Sequence, residues 1–234
     1  MKQNLNKLAC AAALTVMALN TALADSYPIY NNSAGYNGGA FNVVDGQQIG
    51  TEITLDAQTW ALTQFQIEYY APILPDSTVG FDVSIYKNNG PITGTSGGAN
   101  TPGDLVYDGG LYTGLLAPGA NSITYTTGDF GNLYLTGSYT FMISFHNTDN
   151  SGNMFGLQLP LADSPVGQVG TSYGDYWVNT GSVGSPVWSL LTAESGQANL
   201  VMNVEGTPEP SVMALSAVGG VLLLGVNKLR RKRA

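Results

Sequence analysis

Beyond residue 24 this chain has no cysteine; its single one, Cys10, lies in the first apolar segment. Residues 25–207 must therefore hold together by burial and hydrogen bonding, without disulfides. The usual zinc sets are excluded as well, because His146 is the lone histidine. Positive charge is almost missing from the same segment. Only Lys87 falls within 25–207, against fifteen carboxylates, for a net charge of −14. Such a surface favours solubility and repels phosphate backbones, which excludes nucleic acid as a partner. Helical periodicity is scarce too. No stretch of 25–207 keeps an apolar 3.6-residue period for more than about two turns. There is no internal repeat and no low-complexity block.

Aromatic side chains and glycine fill that segment instead. All 13 Tyr, 7 Phe and 3 Trp lie there, with 27 of the 30 Gly. Short aromatic and β-branched runs broken by Gly, Asn, Asp and Pro read as strands and turns. Strands are expected near Ala40–Val44, Ile49–Leu55, Trp60–Tyr70, Phe81–Tyr86, Leu105–Thr113, Ser122–Thr127 and Ser138–Phe145. Others are expected at Met154–Leu159, Tyr176–Asn179, Val187–Leu191 and Leu200–Val204. Within Trp60–Tyr70 the apolar phase slips between Leu62 and Phe65, which implies a bulge. Strands at this spacing predict an all-β domain, a jelly-roll-like β-sandwich, over 25–207.

The two ends differ from the middle. At the front, Lys2 and Lys7 precede an apolar stretch from Leu8 to Leu19 that is too short to span a bilayer, and Ala22-Leu23-Ala24 follows. This order predicts a signal peptide over 1–24, cut after Ala24 with Ala22 and Ala24 as the small residues, so that the mature chain starts at Asp25. Lys7 stands where a lipoprotein signal needs Leu, so Cys10 is not expected to carry lipid. At the back, Pro208-Glu209-Pro210 precedes an uncharged run from Val212 to Val226, and Lys228, Arg230, Arg231, Lys232 and Arg233 close it. As a helix this run spans roughly 22 Å, short for a bilayer core of about 30 Å, and its flanks extend it to a transmembrane helix over 211–229. The basic cluster places the C-terminus in the cytoplasm.

Triplet, apolar helix and basic end, in that order, resemble the PEP-CTERM sorting signal of exopolysaccharide-producing Gram-negative bacteria, also called the ice-binding protein C-terminal domain. The resemblance covers residues 208–234. It implies that Pro208, Glu209 and Pro210 are the motif read by an exosortase, a membrane cysteine protease, with the Sec machinery and signal peptidase as earlier partners. FDVSIYKNNG, TPGDLVYDG and YWVNTG are similar to β-sandwich domains found upstream of such tails.

Candidate chemistry in the middle is sparse. His146 has no nucleophile elbow beside it and reads as a strand-edge histidine bonded to a loop. Glu52, Glu68, Glu194 and Glu205 offer carboxylates for glycan hydrolysis, but nothing in their spacing pairs two of them. Asp149, Ser151 and Asn153 put oxygens at positions one, three and five of a Ca²⁺ loop, yet Met154 replaces the sixth-position Gly and no Glu follows at the twelfth. The same stretch reads more readily as an Asx-rich hairpin turn, which needs no ion. Asp104 and Asp108 are weaker companions. Trp177 and Trp188, near Tyr173 and Tyr176, are candidates for stacking on sugar rings, with core packing as the competing fate. Ser122, Thr124 and Thr126 form one short alternation, not the array that ice binding needs.

The expectation is a non-enzymatic, exported or cell-surface protein, structural or adhesive in an extracellular polysaccharide matrix, anchored through its C-terminal helix at least transiently, with exosortase and exopolysaccharide as partners. The competing readings are a carbohydrate-binding module using Ca²⁺ and, behind it, a glycan hydrolase.

Overall fold

Period-2 alternation decides the architecture, because each strand with one apolar phase needs a second sheet to cover it. The structure, a computed structural model, describes residues 26–33, 36–43, 45–71, 78–92, 100–115, 119–147, 155–160, 171–172, 175–182, 185–192 and 200–209. Tyr27–Gly206 forms one compact unit. Among the described residues no helix is long and apolar enough to cross a membrane. The expected segments 1–24 and 211–229 lie outside the described residues.

In chain order the elements are β1 (Tyr27–Asn31), β2 (Tyr36–Val43), β3 (Gln48–Thr54), β4 (Trp60–Ala71), β5 (Thr78–Lys87), β6 (Leu105–Asp108), β7 (Tyr112–Leu115) and β8 (Gly119–Thr126). A single helical turn, α1 (Thr127–Phe130), follows. Then come β9 (Tyr134–Leu135), β10 (Ser138–Asn147), β11 (Phe155–Pro160), β12 (Thr171–Ser172), β13 (Asp175–Asn179), β14 (Trp188–Thr192) and β15 (Met202–Pro208).

They form two antiparallel sheets, as expected for an all-β sandwich. One has seven strands in the order β1-β15-β4-β11-β2, with β8 and β9 also paired to β4. The other has eight, β14-β13-β3-β10-β5-β6, with β12 on β3 and β7 on β5. The chain passes back and forth between them: β2, β4, β8, β11 and β15 belong to the first, and β3, β5, β10 and β13 to the second.

The core lies between the sheets. From the seven-stranded sheet come Phe65, Ile67 and Tyr69 of β4 and Val204 of β15, all buried. From the other come Ile49 and Ile53 of β3, Val83 and Ile85 of β5, and Phe141, Ile143 and Phe145 of β10. Rings meet across the gap: Phe65 and Phe141 at 5.2 Å between centroids, Tyr69 and Phe145 at 5.8 Å. Each fully buried side chain of this size stabilises the fold by about 1.5–3 kcal/mol. That burial stands in for the absent disulfides.

Several expectations are refined. The phase slip in β4 is present: Leu62 and Phe65 both face inward, with half-buried Thr63 and Gln64 between them. Its cause is a change of partner, since β4 pairs with β9 at Trp60–Ala61 and with β8 from Gln64 onward. The helical turn α1 separates those two partners, and Thr127 Oγ1 donates to the Thr63 carbonyl at 3.2 Å. Leu105–Thr113, expected as one strand, is two. Gly110 takes φ +66, a left-handed value that suits glycine, and its N–H donates to Asp108 Oδ1 at 2.9 Å. β1 lies outside the expected strands; Pro28 and the neighbouring Asn31 and Asn32 argue against one, and pairing with β15 enforces it.

A candidate ligand-binding face

Alternation that turns Ile49, Val83 and Phe141 inward turns other side chains to the outer face of the eight-stranded sheet. Antiparallel register lines these up in lanes across the strands. One lane runs Asp82, Ser144, Gln48, Asn179, Trp188 through β5, β10, β3, β13 and β14. The next runs Asp108, Ser84, Met142, Gly50, Trp177, Leu190. A third begins Tyr86, Thr140, Glu52.

The outer face of an antiparallel sheet is commonly solvated. This one is enclosed. Met142, Trp177, Ser84, Thr140 and Asn179 are all 0% exposed, and Glu52 and Asp175 are buried beside them. Curvature contributes to the burial. β14 and β5 stand four places apart, about 19 Å at a spacing of about 4.8 Å, further than two rings could bridge on a flat sheet. Yet Trp188 and Tyr86 meet edge to face with centroids 4.9 Å apart. The face is therefore concave, and the two rings close over it with Met142 and Trp177 beneath. Gly50 permits this: a Cβ there would collide with Met142 Sδ and the Phe141 carbonyl.

Polar groups in the hollow are mostly tied down. Glu52 accepts from Ser138 Oγ at 2.6 Å and from Trp177 Nε1 at 3.2 Å. Asn179 Nδ2 donates to Gln48 Oε1 at 2.7 Å, while Asn179 Oδ1 accepts the N–H groups of Gly181 and Val187, both at 2.9 Å. Asn179 thus shapes the turn that delivers Trp188. Gln48 Nε2 reaches Ser84 Oγ at 3.4 Å. Burial pushes the Asp82 carboxyl above its ordinary range, with Asp108 adding to the rise and His146 opposing it. Asp175 is raised by burial and then by Glu52, against a bond from its own backbone. Tyr86 is raised by burial, then by Asp108 and Asp82.

The sequence candidates fall as follows. Trp177, offered as a stacking residue, is fully buried with its indole N–H on Glu52; core packing claims it. Trp188 is half-buried on the edge strand. His146 is bonded within its own strand: Ser144 Oγ lies 3.1 Å from its Nε2, and among the described residues no bond from it to a loop is seen. Ser144 is 1% exposed, so no substrate reaches its oxygen in this conformation. Asp104 and Asp108 serve turns. Asp104 accepts from Asn89 Nδ2 at 2.6 Å and its N–H donates to Asn89 Oδ1 at 3.0 Å, which staples the loop between β5 and β6. Asp149, Ser151, Asn153, Tyr173 and Glu194 lie outside the described residues, as do Ala22, Ala24, Pro210, Lys228, Arg230, Arg231, Lys232 and Arg233. Pro208 ends β15, and Glu209 after it is exposed. Among the described residues no three of His, Cys, Asp and Glu gather to hold a metal.

Glu52 and Asp175 do come together, which their separation in sequence hid. The polar phase of FDVSIY reads as a solvated face, so Asp82, Ser84 and Tyr86 carry no local signal of a site. The signal available was the pairing of that phase with Gln48, Ser144 and Asn179, which only register reveals.

No family model matches the chain, and no curated protein matches it. Among solved structures it is similar to a chain in the structure of the infectious bursal disease virus Gt strain, at 12% identity and a TM-score of 0.25, covering 80% of this chain and 41% of that one. A likeness of that size carries no argument about fold or activity.

Proposed function

We propose that this chain is an exported, acidic β-sandwich protein of jelly-roll-like topology, sorted through Pro208-Glu209-Pro210 and serving a structural or adhesive role in an extracellular polysaccharide matrix. The observation that carries the reading is the tail's fixed order of triplet, uncharged run and basic cluster at residues 208–233. Pro208 closing the last strand and Glu209 standing exposed beyond it suit a motif presented to another protein. The passage of the chain between sheets supports the jelly-roll-like topology. Export through the inner membrane leaves the domain at the cell surface or outside it, with exosortase as the processing partner.

Fractionation and intact mass of the protein from its host, wild type against Glu209→Ala, test this. The expected result is loss of the tail in the wild type and membrane retention of the variant. If both forms keep the tail, the triplet has no sorting role. A second reading, carbohydrate binding by the domain itself, is favoured by the concave face with half-buried Trp188 at its rim.

A further inference from the structure

Among the described residues, five buried side-chain polar atoms have no hydrogen-bond partner, and three of them line one side of β5 and the residue after it: Asp82 Oδ1, Tyr86 Oη and Asn88 Nδ2. Asp82 and Tyr86 share the outer phase of the strand with Ser84 between them. Asn88 continues the line, since its Oδ1 accepts from Thr140 Oγ1 at 2.8 Å. Gln48 and Ser84 lie beside the Tyr86 hydroxyl and offset part of the rise that burial gives its pKa, without completing a well-formed bond. A folded chain rarely leaves buried polar atoms unpaired, and three on one side of β5 and the residue after it form a pattern that calls for a partner. The backbone from Asp82 to Asn88 spans about 20 Å at roughly 3.3 Å per residue.

The partner's chemistry follows from the three atoms. Asp82 needs a donor, Asn88 an acceptor, and Tyr86 takes either. A peptide strand could supply both, but the β5 backbone is already paired with β10 on one side and with β6 and β7 on the other. An anion is opposed by Asp82 and Asp108 together and by the −14 of the domain. A metal ion lacks its ligand set among the described residues. Repeated hydroxyls satisfy all three atoms, and the apolar faces of sugar rings suit Trp188. We infer that the outer side of β5, from Asp82 to Asn88, is a binding lane for an uncharged glycan segment. The Trp188 ring swings off Tyr86 to admit it and then stacks on a sugar. This deepens the carbohydrate-binding reading above and rests on it.

The full-length chain in detergent is titrated with cello-, laminari-, malto-, manno- and xylo-oligosaccharides, tetra- to hexasaccharides, with oligogalacturonate as the anionic comparison. Tryptophan fluorescence reports the motion of Trp188. At least one uncharged series is expected to bind and to change the fluorescence, and oligogalacturonate is expected not to. Asp82→Asn, which keeps the shape, weakens that binding by roughly tenfold or more. Trp188→Ala abolishes the fluorescence change, with near-ultraviolet circular dichroism checking that both variants fold. If none of the five series binds, or if Asp82→Asn leaves the affinity unchanged, the lane holds water only and the inference is wrong. The sorting assay with Glu209→Ala is scored separately, so either reading can fail alone.

Discussion

Asn32 offers the sharpest test of how the domain is closed. It sits just after β1 and is buried. Its Oδ1 accepts the Met202 N–H at 2.7 Å and its Nδ2 donates to the Leu200 carbonyl at 2.8 Å. One side chain thus completes the first N–H of β15 and a carbonyl two residues before it, ahead of the strand that leads to Glu209. Asn32→Ala removes both bonds, and with them the Nδ2 donation to Tyr30 Oη at 3.0 Å, and leaves a buried N–H and a buried C=O without this partner. Each such loss costs about 1–3 kcal/mol, so the sum is about 2–6 and a working value is about 3 kcal/mol. The Asn32 N–H bond to the Met202 carbonyl at 3.2 Å survives, which keeps β1 in place and holds the loss to this range. Against a typical domain stability of about 5–15 kcal/mol this is a large fraction. With a urea m-value of about 2 kcal/mol/M, the midpoint should fall by about 1.5 M at unchanged m. Thr127→Ala is the comparison: its hydroxyl bond to the Thr63 carbonyl is exposed, and a change within about 0.5 kcal/mol is expected. Amide exchange at Met202 should speed up in Asn32→Ala and not in Thr127→Ala. A midpoint for Asn32→Ala that matches Thr127→Ala would refute the claim that this clamp closes the sandwich.

Other consequences can be measured alongside. Gly50→Ala drives a methyl into Met142 and the Phe141 carbonyl, and should cost about 1–3 kcal/mol in urea unfolding while disturbing the Trp177 near-ultraviolet signal; full stability would mean the concave face is not packed as described. Asp82, Asp175 and Glu68 all have carboxyl pKa values raised by burial, so the folded state binds protons that the unfolded state has released. Their stabilising contribution is complete below the ordinary carboxylate range and is lost as pH rises through the raised values. Thermal midpoints should therefore be higher in mild acid than at neutrality, and Asp175→Asn should narrow the difference; a wild-type midpoint that climbs from mild acid to neutral pH would contradict this.

Local signals were enough to find most strands. FDVSIY keeps its period through β5, and SYTFMISF does so through β10, because an inward phase of Phe, Val and Ile can be buried in only one way. The export and sorting reading was also written wholly in local order, at residues 1–24 and 208–234. α1 also carries a local signal in its first residues. Thr126 and Asp129 have capping-box spacing, and the Asp129 carboxylate accepts the Thr126 N–H at 2.6 Å. β1 carried none, since the strand it pairs with among the described residues is β15, at the far end of the domain.

By itself, then, the sequence determined an all-β acidic domain without disulfides, and a chemically distinct segment at either end. Composition and period-2 patterning act on neighbours along the chain, and those properties need nothing more. Tertiary structure alone decided which polar residues meet. Asp82, Gln48 and Asn179 are far apart in sequence and become one lane through the register of four strands. Trp177 and Trp188 have the same local appearance, yet curvature of the sheet buries the first and leaves the second at the rim. Register and curvature are set by how two sheets pack, and no window of sequence contains that information.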